Sequence, residues 1–104
     1  MQEIFIMLAN YIIITNCLEK YLSLKAQRLY RELLKISIQK SKEKFEFDYQ
    51  DLEEKLKYTH ESLRQAFVEL EKVGLVLRGT MNGTCVKYVE IDTRFFEEHL
   101  EGIL

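Results

Sequence analysis

KYTHESLRQAFVELEKVGLVLR, residues 57–78, decides the fold. Thr59 carries a short hydroxyl that can accept a backbone N–H and open a helix. Glu61 follows in the first turn, where the positive end of the helix dipole favours a carboxylate. Leu63, Ala66, Phe67, Leu70 and Val73 then recur at i, i+3, i+4, i+7 and i+10, one apolar stripe at the helical period. Gly74 is the stop, because it enters the left-handed region at no steric cost. Beyond it the period changes, and LVLR (75–78) reads as a strand.

Working upstream, only Lys57 and Tyr58 separate this helix from the preceding one. That earlier helix is capped by Asp48, carries Asp51 in its first turn and turns Tyr49, Leu52 and Leu56 inward. So short a connection forces a sharp change of direction, so that the 59–73 helix packs across its predecessor and its N-terminal turns project. FEF (45–47) is a short strand candidate. A first helix opens at Ser23, places Ala26, Leu29, Tyr30, Leu33 and Ser37 on one face with Leu34 and Ile36 widening it, and ends near QKSKEK (39–44). Its other side bears Lys25, Arg28, Arg31 and Lys35, a stripe read as a solvated face balanced by Glu32. Downstream, CVKYVEI (85–91) is a second strand, and in the intervening GTMNGT the pair Asn82-Gly83 offers the positive φ angles of a tight hairpin turn. Asp92 caps a last short helix with Phe95, Phe96, His99, Leu100 and Ile103 on one side. Residues 1–20 are either a strand plus a turn of helix or one buried helix; the β-branched run from Ile12 to Thr15 favours an extended start.

The expected fold is therefore mainly α with a small β-hairpin, an α+β class, in a single domain of 104 residues. It divides into an apolar N-terminal extension (1–22), a core (23–91) and a C-terminal helix (92–104). Proline is absent and glycine occurs four times, which suits helices with few breaks. The apolar run from Ile4 to Ile14 has no basic segment before it and no small-residue cleavage site after it, unlike a signal peptide. It is also shorter than the about 20 residues of a membrane span. Cys17, Cys85, His60 and His99 do not complete a metal-ligand spacing, so no metal and no cofactor are expected, and the cysteines read as buried or partly buried thiols of a reducing cytoplasm. No Gly-rich loop could cradle a phosphate and no Cys–His or Ser–His–Asp set is suggested, so an enzyme is not expected.

DLEEKLKYTHESLRQAFVELEKVGLV (51–76) resembles the bacterial winged helix-turn-helix pattern, in which a short helix precedes a Ser/Thr-capped helix ending in a LEKxGLV-like run. Regulators of the MarR, PadR and GntR types carry such runs. SLKAQRLYRELLKIS (23–37) resembles the first helix of the winged-helix domains of plasmid and phage replication initiators. The likeness covers about residues 23–91. The Pro-containing turn usual before helix two in GntR-type domains and the initiators' second domain are missing from this chain.

The resemblance implies a sequence-specific DNA-binding protein, with helix 59–73 in the major groove of double-stranded DNA and hairpin 75–91 as the wing. His60, Ser62, Arg64 and Gln65 would then face base edges; Arg pairs bidentately with guanine and Gln with adenine. Lys55, Lys57, Tyr58 and Thr59, with Arg78 and Lys87 on the wing, would meet phosphates. The acidic total, 17 Asp plus Glu against 15 Lys plus Arg, hides an uneven distribution. Residues 55–88 carry six basic and three acidic side chains, whereas residues 45–54 carry five acidic and no basic ones. Glu61 and Glu69, on or near the reading face, oppose tight binding. The apolar ends suggest a homodimer through Ile4, Phe5, Leu8, Tyr11, Ile12, Phe95, Phe96, Leu100 and Ile103. Three roles stay open: a small cytoplasmic transcriptional regulator, a plasmid or phage replication or maintenance protein, and a winged-helix protein-interaction module that binds no DNA.

Overall fold

Ser23 opens the first helix as its sequence suggests, its hydroxyl accepting the N–H of Ala26 at 3.3 Å. The computed structural model describes residues 22–83 and 85–92. Over these, helix α1 (Leu24–Lys40), strand β1 (Lys44–Glu46), helix α2 (Tyr49–Leu56), helix α3 (His60–Val73) and strands β2 (Val76–Thr80) and β3 (Lys87–Ile91) follow in order. This is an α+β domain, three helices and a three-stranded antiparallel sheet. The proposed N-terminal extension before Leu22 and the helix after Asp92, with all nine interface candidates, lie outside the described residues.

Each helix begins and ends on a residue chosen for its backbone. Asp48 accepts from the Gln50 N–H at 2.7 Å and Thr59 from the Ser62 N–H at 3.1 Å. The stops are Ser41, Lys57 and Gly74, with φ of 55°, 61° and 85°. Only glycine takes this region without a steric penalty, so Ser41 and Lys57 carry some strain that their helix-end hydrogen bonds offset. No atom lies within 4 Å of the position a Cβ would occupy on Gly74. Gly74→Ala therefore costs backbone strain alone, about 1–2 kcal/mol. Urea unfolding measures it; a loss below about 0.5 kcal/mol would show that the turn relaxes out of the left-handed region.

The apolar stripes meet in one core. Leu29, Tyr30, Leu33 and Leu34 of α1, Leu52 and Leu56 of α2, and Leu63, Ala66, Phe67 and Leu70 of α3 are buried there. Burying one large side chain of this kind contributes about 1.5–3 kcal/mol. Tyr30 is fully buried, and burial first, then the Asp92 carboxylate, raise its phenol well above the ordinary range, so it stays neutral. The buried Ser37 hydroxyl donates to the Lys42 carbonyl and fixes the exit of α1.

The sheet, in the order β1-β3-β2, closes the core from one side. Phe45 pairs with Val89 and Val76 with Ile91, and these four side chains face inward, while Leu77 between them is exposed. The short FEF strand is thus real, displaced by one residue, and its partner is the second strand of the hairpin. The hairpin strands also differ from expectation. Leu75 belongs to the helix stop, its N–H bonded to the Leu70 carbonyl at 3.0 Å. At the other end β2 runs on through Gly79, where a Cβ would lie 2.4 Å from Cζ of Tyr88. The hairpin is closed by the Met81 N–H on the Val86 carbonyl at 3.0 Å, so four residues span the end. In that longer loop Gly83 takes a positive φ of 74° and Asn82 does not. Cys85 lies in this loop and is exposed, not buried as its sequence context suggested, because it stands beyond the last ladder pair.

Candidate nucleic-acid interface

The start of α3 is set by the two-residue turn before it. Lys57 in the left-handed region ends α2, and the Tyr58 N–H bonds the Glu53 carbonyl at 3.0 Å. Tyr58 then reaches back to α1, its hydroxyl donating to the Lys25 carbonyl at 2.9 Å. Thr59 starts α3 directly, and the helix turns Leu63, Ala66, Phe67 and Leu70 inward and leaves His60, Glu61, Arg64 and Gln65 exposed.

The four base-edge candidates divide. Arg64 and Gln65 stand on the exposed side and are gathered by one carboxylate. Arg64 donates to Glu61 from Nη2 at 2.7 Å and Nε at 3.2 Å, and Gln65 donates to it from Nε2 at 3.3 Å. The hydrogen bonds and charge of Arg64 hold the Glu61 carboxyl below its ordinary range, and Glu61 in turn raises Arg64. More than half of each side chain is exposed to water, so this fork is weak and a competing partner can displace it. His60 is also exposed; its Nδ1 lies 3.7 Å from Glu53 and its ring meets Tyr49 edge-on. Ser62 is half-buried, and its hydroxyl accepts from Thr59 Oγ1 at 3.0 Å and Lys25 Nζ at 3.2 Å. It is a joint between helices more than a probe of a groove.

The phosphate candidates divide too. Lys57 is exposed at the turn, and Lys87 is exposed with Nζ donating to Thr80 at 3.3 Å. Lys55 is paired with Glu32 of α1 at 2.9 Å. Arg78 points inward. Its Nε and Nη2 donate to Glu71 at 2.9 and 2.5 Å, its Nη1 to the Tyr49 hydroxyl at 3.1 Å, and its guanidinium lies 4.7 Å from the Phe67 ring centroid. Only a fifth of its side chain is exposed. The alternation along β2 explains this: Val76 faces in and Leu77 out, so Arg78 faces in.

Two features were not anticipated from sequence. Lys25 and Arg28, from the front of the α1 basic stripe, lie beside the start of α3. Arg28 donates to the Leu56 carbonyl at 3.4 Å and sits over the Tyr58 ring, 5.3 Å from its centroid. Glu69, expected to oppose binding, instead accepts from the Ser23 N–H at 3.1 Å and the Ser23 hydroxyl at 2.6 Å, tying the start of α1 to α3. No sequence periodicity spans separations of 37 or 46 residues, so neither contact had a local signal.

Compared with protein-family models, curated proteins and solved structures, the chain matches none of them. Among the described residues no helix is long and apolar enough to cross a membrane, and no three His, Cys, Asp or Glu side chains are grouped so as to hold a metal ion.

Proposed function

We propose that this chain is a winged helix-turn-helix protein that binds double-stranded DNA, with α3 in the major groove and the β2–β3 hairpin as the wing. One observation carries the reading. The first turns of α3 project Arg64 and Gln65, the two side chains best suited to guanine and adenine edges, from a helix whose opposite face is fully buried. A helix held this rigidly presents its outer residues in a fixed geometry. The helix–strand–helix–helix–strand–strand order, the exposed Lys57 in the turn before α3 and the exposed Lys87 on the hairpin support it. In this reading Arg78 braces the wing against α3 and leaves the phosphate contacts to the lysines. A cytoplasmic transcriptional regulator acting as a homodimer fits this site best, since a two-fold dimer places two such helices in successive major grooves.

A gel shift on random-sequence duplex across a salt series tests the reading. With few phosphates engaged, a complex present at about 50 mM salt is expected to be largely lost by about 200 mM, and to hold two chains per duplex. Absence of any complex at the lowest salt would sink the DNA assignment, and one chain per duplex would sink the dimer.

A further inference from the structure

The front of the α1 basic stripe does not lie on an open solvated face. It lines a cleft of about 390 Å³ between the start of α1 and the α2–α3 turn. Leu24, Lys25 and Arg28 enter it from α1, Lys57 and Tyr58 from the turn, and Thr59 and Ser62 from the start of α3. Three cations and two aliphatic hydroxyls thus line one depression, and no carboxylate does. The nearby acids are committed elsewhere: Glu69 to Ser23, Glu32 to Lys55, and Glu61 to Arg64 and Gln65. The cleft is also preorganised. Arg28 is pinned between the Leu56 carbonyl and the Tyr58 ring, Tyr58 is bonded to the Lys25 carbonyl, and Lys25 Nζ rests 3.2 Å from Ser62 Oγ. Three cations held in place around a carboxylate-free hollow, with the Ser62 hydroxyl beside them, complement a tetrahedral oxyanion.

We propose that this cleft seats a phosphodiester of the DNA backbone, fixing how deeply α3 enters the groove. The inference rests on the DNA-binding reading above and adds to it a surface contributed by α1. Charge complementarity selects the occupant, and the position of the cleft at the very start of α3 places a phosphate seated there next to the groove that α3 would read.

The test is the salt dependence of duplex binding by Lys25→Gln/Lys57→Asn. Asparagine tolerates the left-handed backbone at position 57, and both side chains are exposed, so the thermal melt is expected to be unchanged. Arg28 is left in place because it also supports the turn. Losing the one seated phosphate should flatten the log–log slope by about 0.9, whereas flattening by about 1.8 would give the two lysines separate phosphates and overturn the shared seat. The control Lys35→Gln/Lys42→Gln removes the same charge, one of its lysines about 15 Å further along α1, and should leave the slope unaltered. Wild-type slope in the first variant, or equal flattening in the control, would overturn the cleft while leaving DNA binding intact. No binding by the wild type would overturn the DNA reading and the cleft together. Capture of the protein by poly-L-glutamate, dependent on Lys25 and Lys57, would assign the cleft to acidic polypeptide and overturn the phosphodiester.

Discussion

Phe67→Ala is expected to cost about 3–5 kcal/mol, most of the stability of a domain this small. Phe67 is fully buried on α3 and joins three elements at once. Its ring centroid lies 5.3 Å from that of Phe47 and 6.0 Å from that of Tyr49, and the Arg78 guanidinium covers its face. Removing the ring leaves a cavity and takes away the surface on which Arg78 is packed, so the contact of α3 with β2 should loosen as well. The helices around it are fixed by their own leucines, so the space cannot readily collapse. Phe67→Leu, which keeps most of the volume, should cost under about 1.5 kcal/mol. Urea denaturation with an unchanged m-value would measure both. A loss near that of the leucine variant for Phe67→Ala would mean that the ring is not the joint between α3 and the sheet.

Arg64→Ala/Gln65→Ala is expected to abolish sequence preference while leaving most non-specific binding. Each bidentate pair with a base edge discriminates by about 1–3 kcal/mol, so the double variant should lose between about 2 and 6 kcal/mol of preference. The lysines proposed to meet phosphates are untouched, so the salt slope should stay as in the wild type. The measurement is selection from a random duplex library, followed by affinities for selected and scrambled duplexes. In the free protein Glu61 accepts from both side chains, and a base contact would have to displace it. Glu61→Gln in the same assay should therefore tighten binding to both duplexes, because a negative charge leaves the tip of α3. If the double variant kept the wild-type preference, Arg64 and Gln65 would not be the readers. Loss of non-specific binding instead would assign them to phosphate.

Much of the helical layout could be read from local pattern. The caps Ser23, Asp48 and Thr59, the stop at Gly74 and the stripes of α1, α2 and α3 are all relations between residues no more than a few positions apart. The hairpin is legible as two strands, but the Asn-Gly pair alone does not fix its turn. The turn type depends on where the ladder stops, and that is set by the Met81–Val86 pair across the loop. The inward placement of Arg78 was available from the alternation of β2. Its charge points to a wing contact, but its register on β2 turns it inward.

Local pattern places the three helices and the inward face of each, because helix capping and hydrophobic periodicity act over one or two turns of chain. Where the long charged side chains come to rest was decided by the tertiary structure. Lys25 beside Ser62, Ser23 on Glu69 and Arg78 on Tyr49 join residues 37, 46 and 29 positions apart. A flexible lysine or arginine has no preferred partner until packing brings one within reach. The packing of α1 against α3 made a cleft of Lys25 and Arg28, and the packing of β2 against α3 made a brace of Arg78.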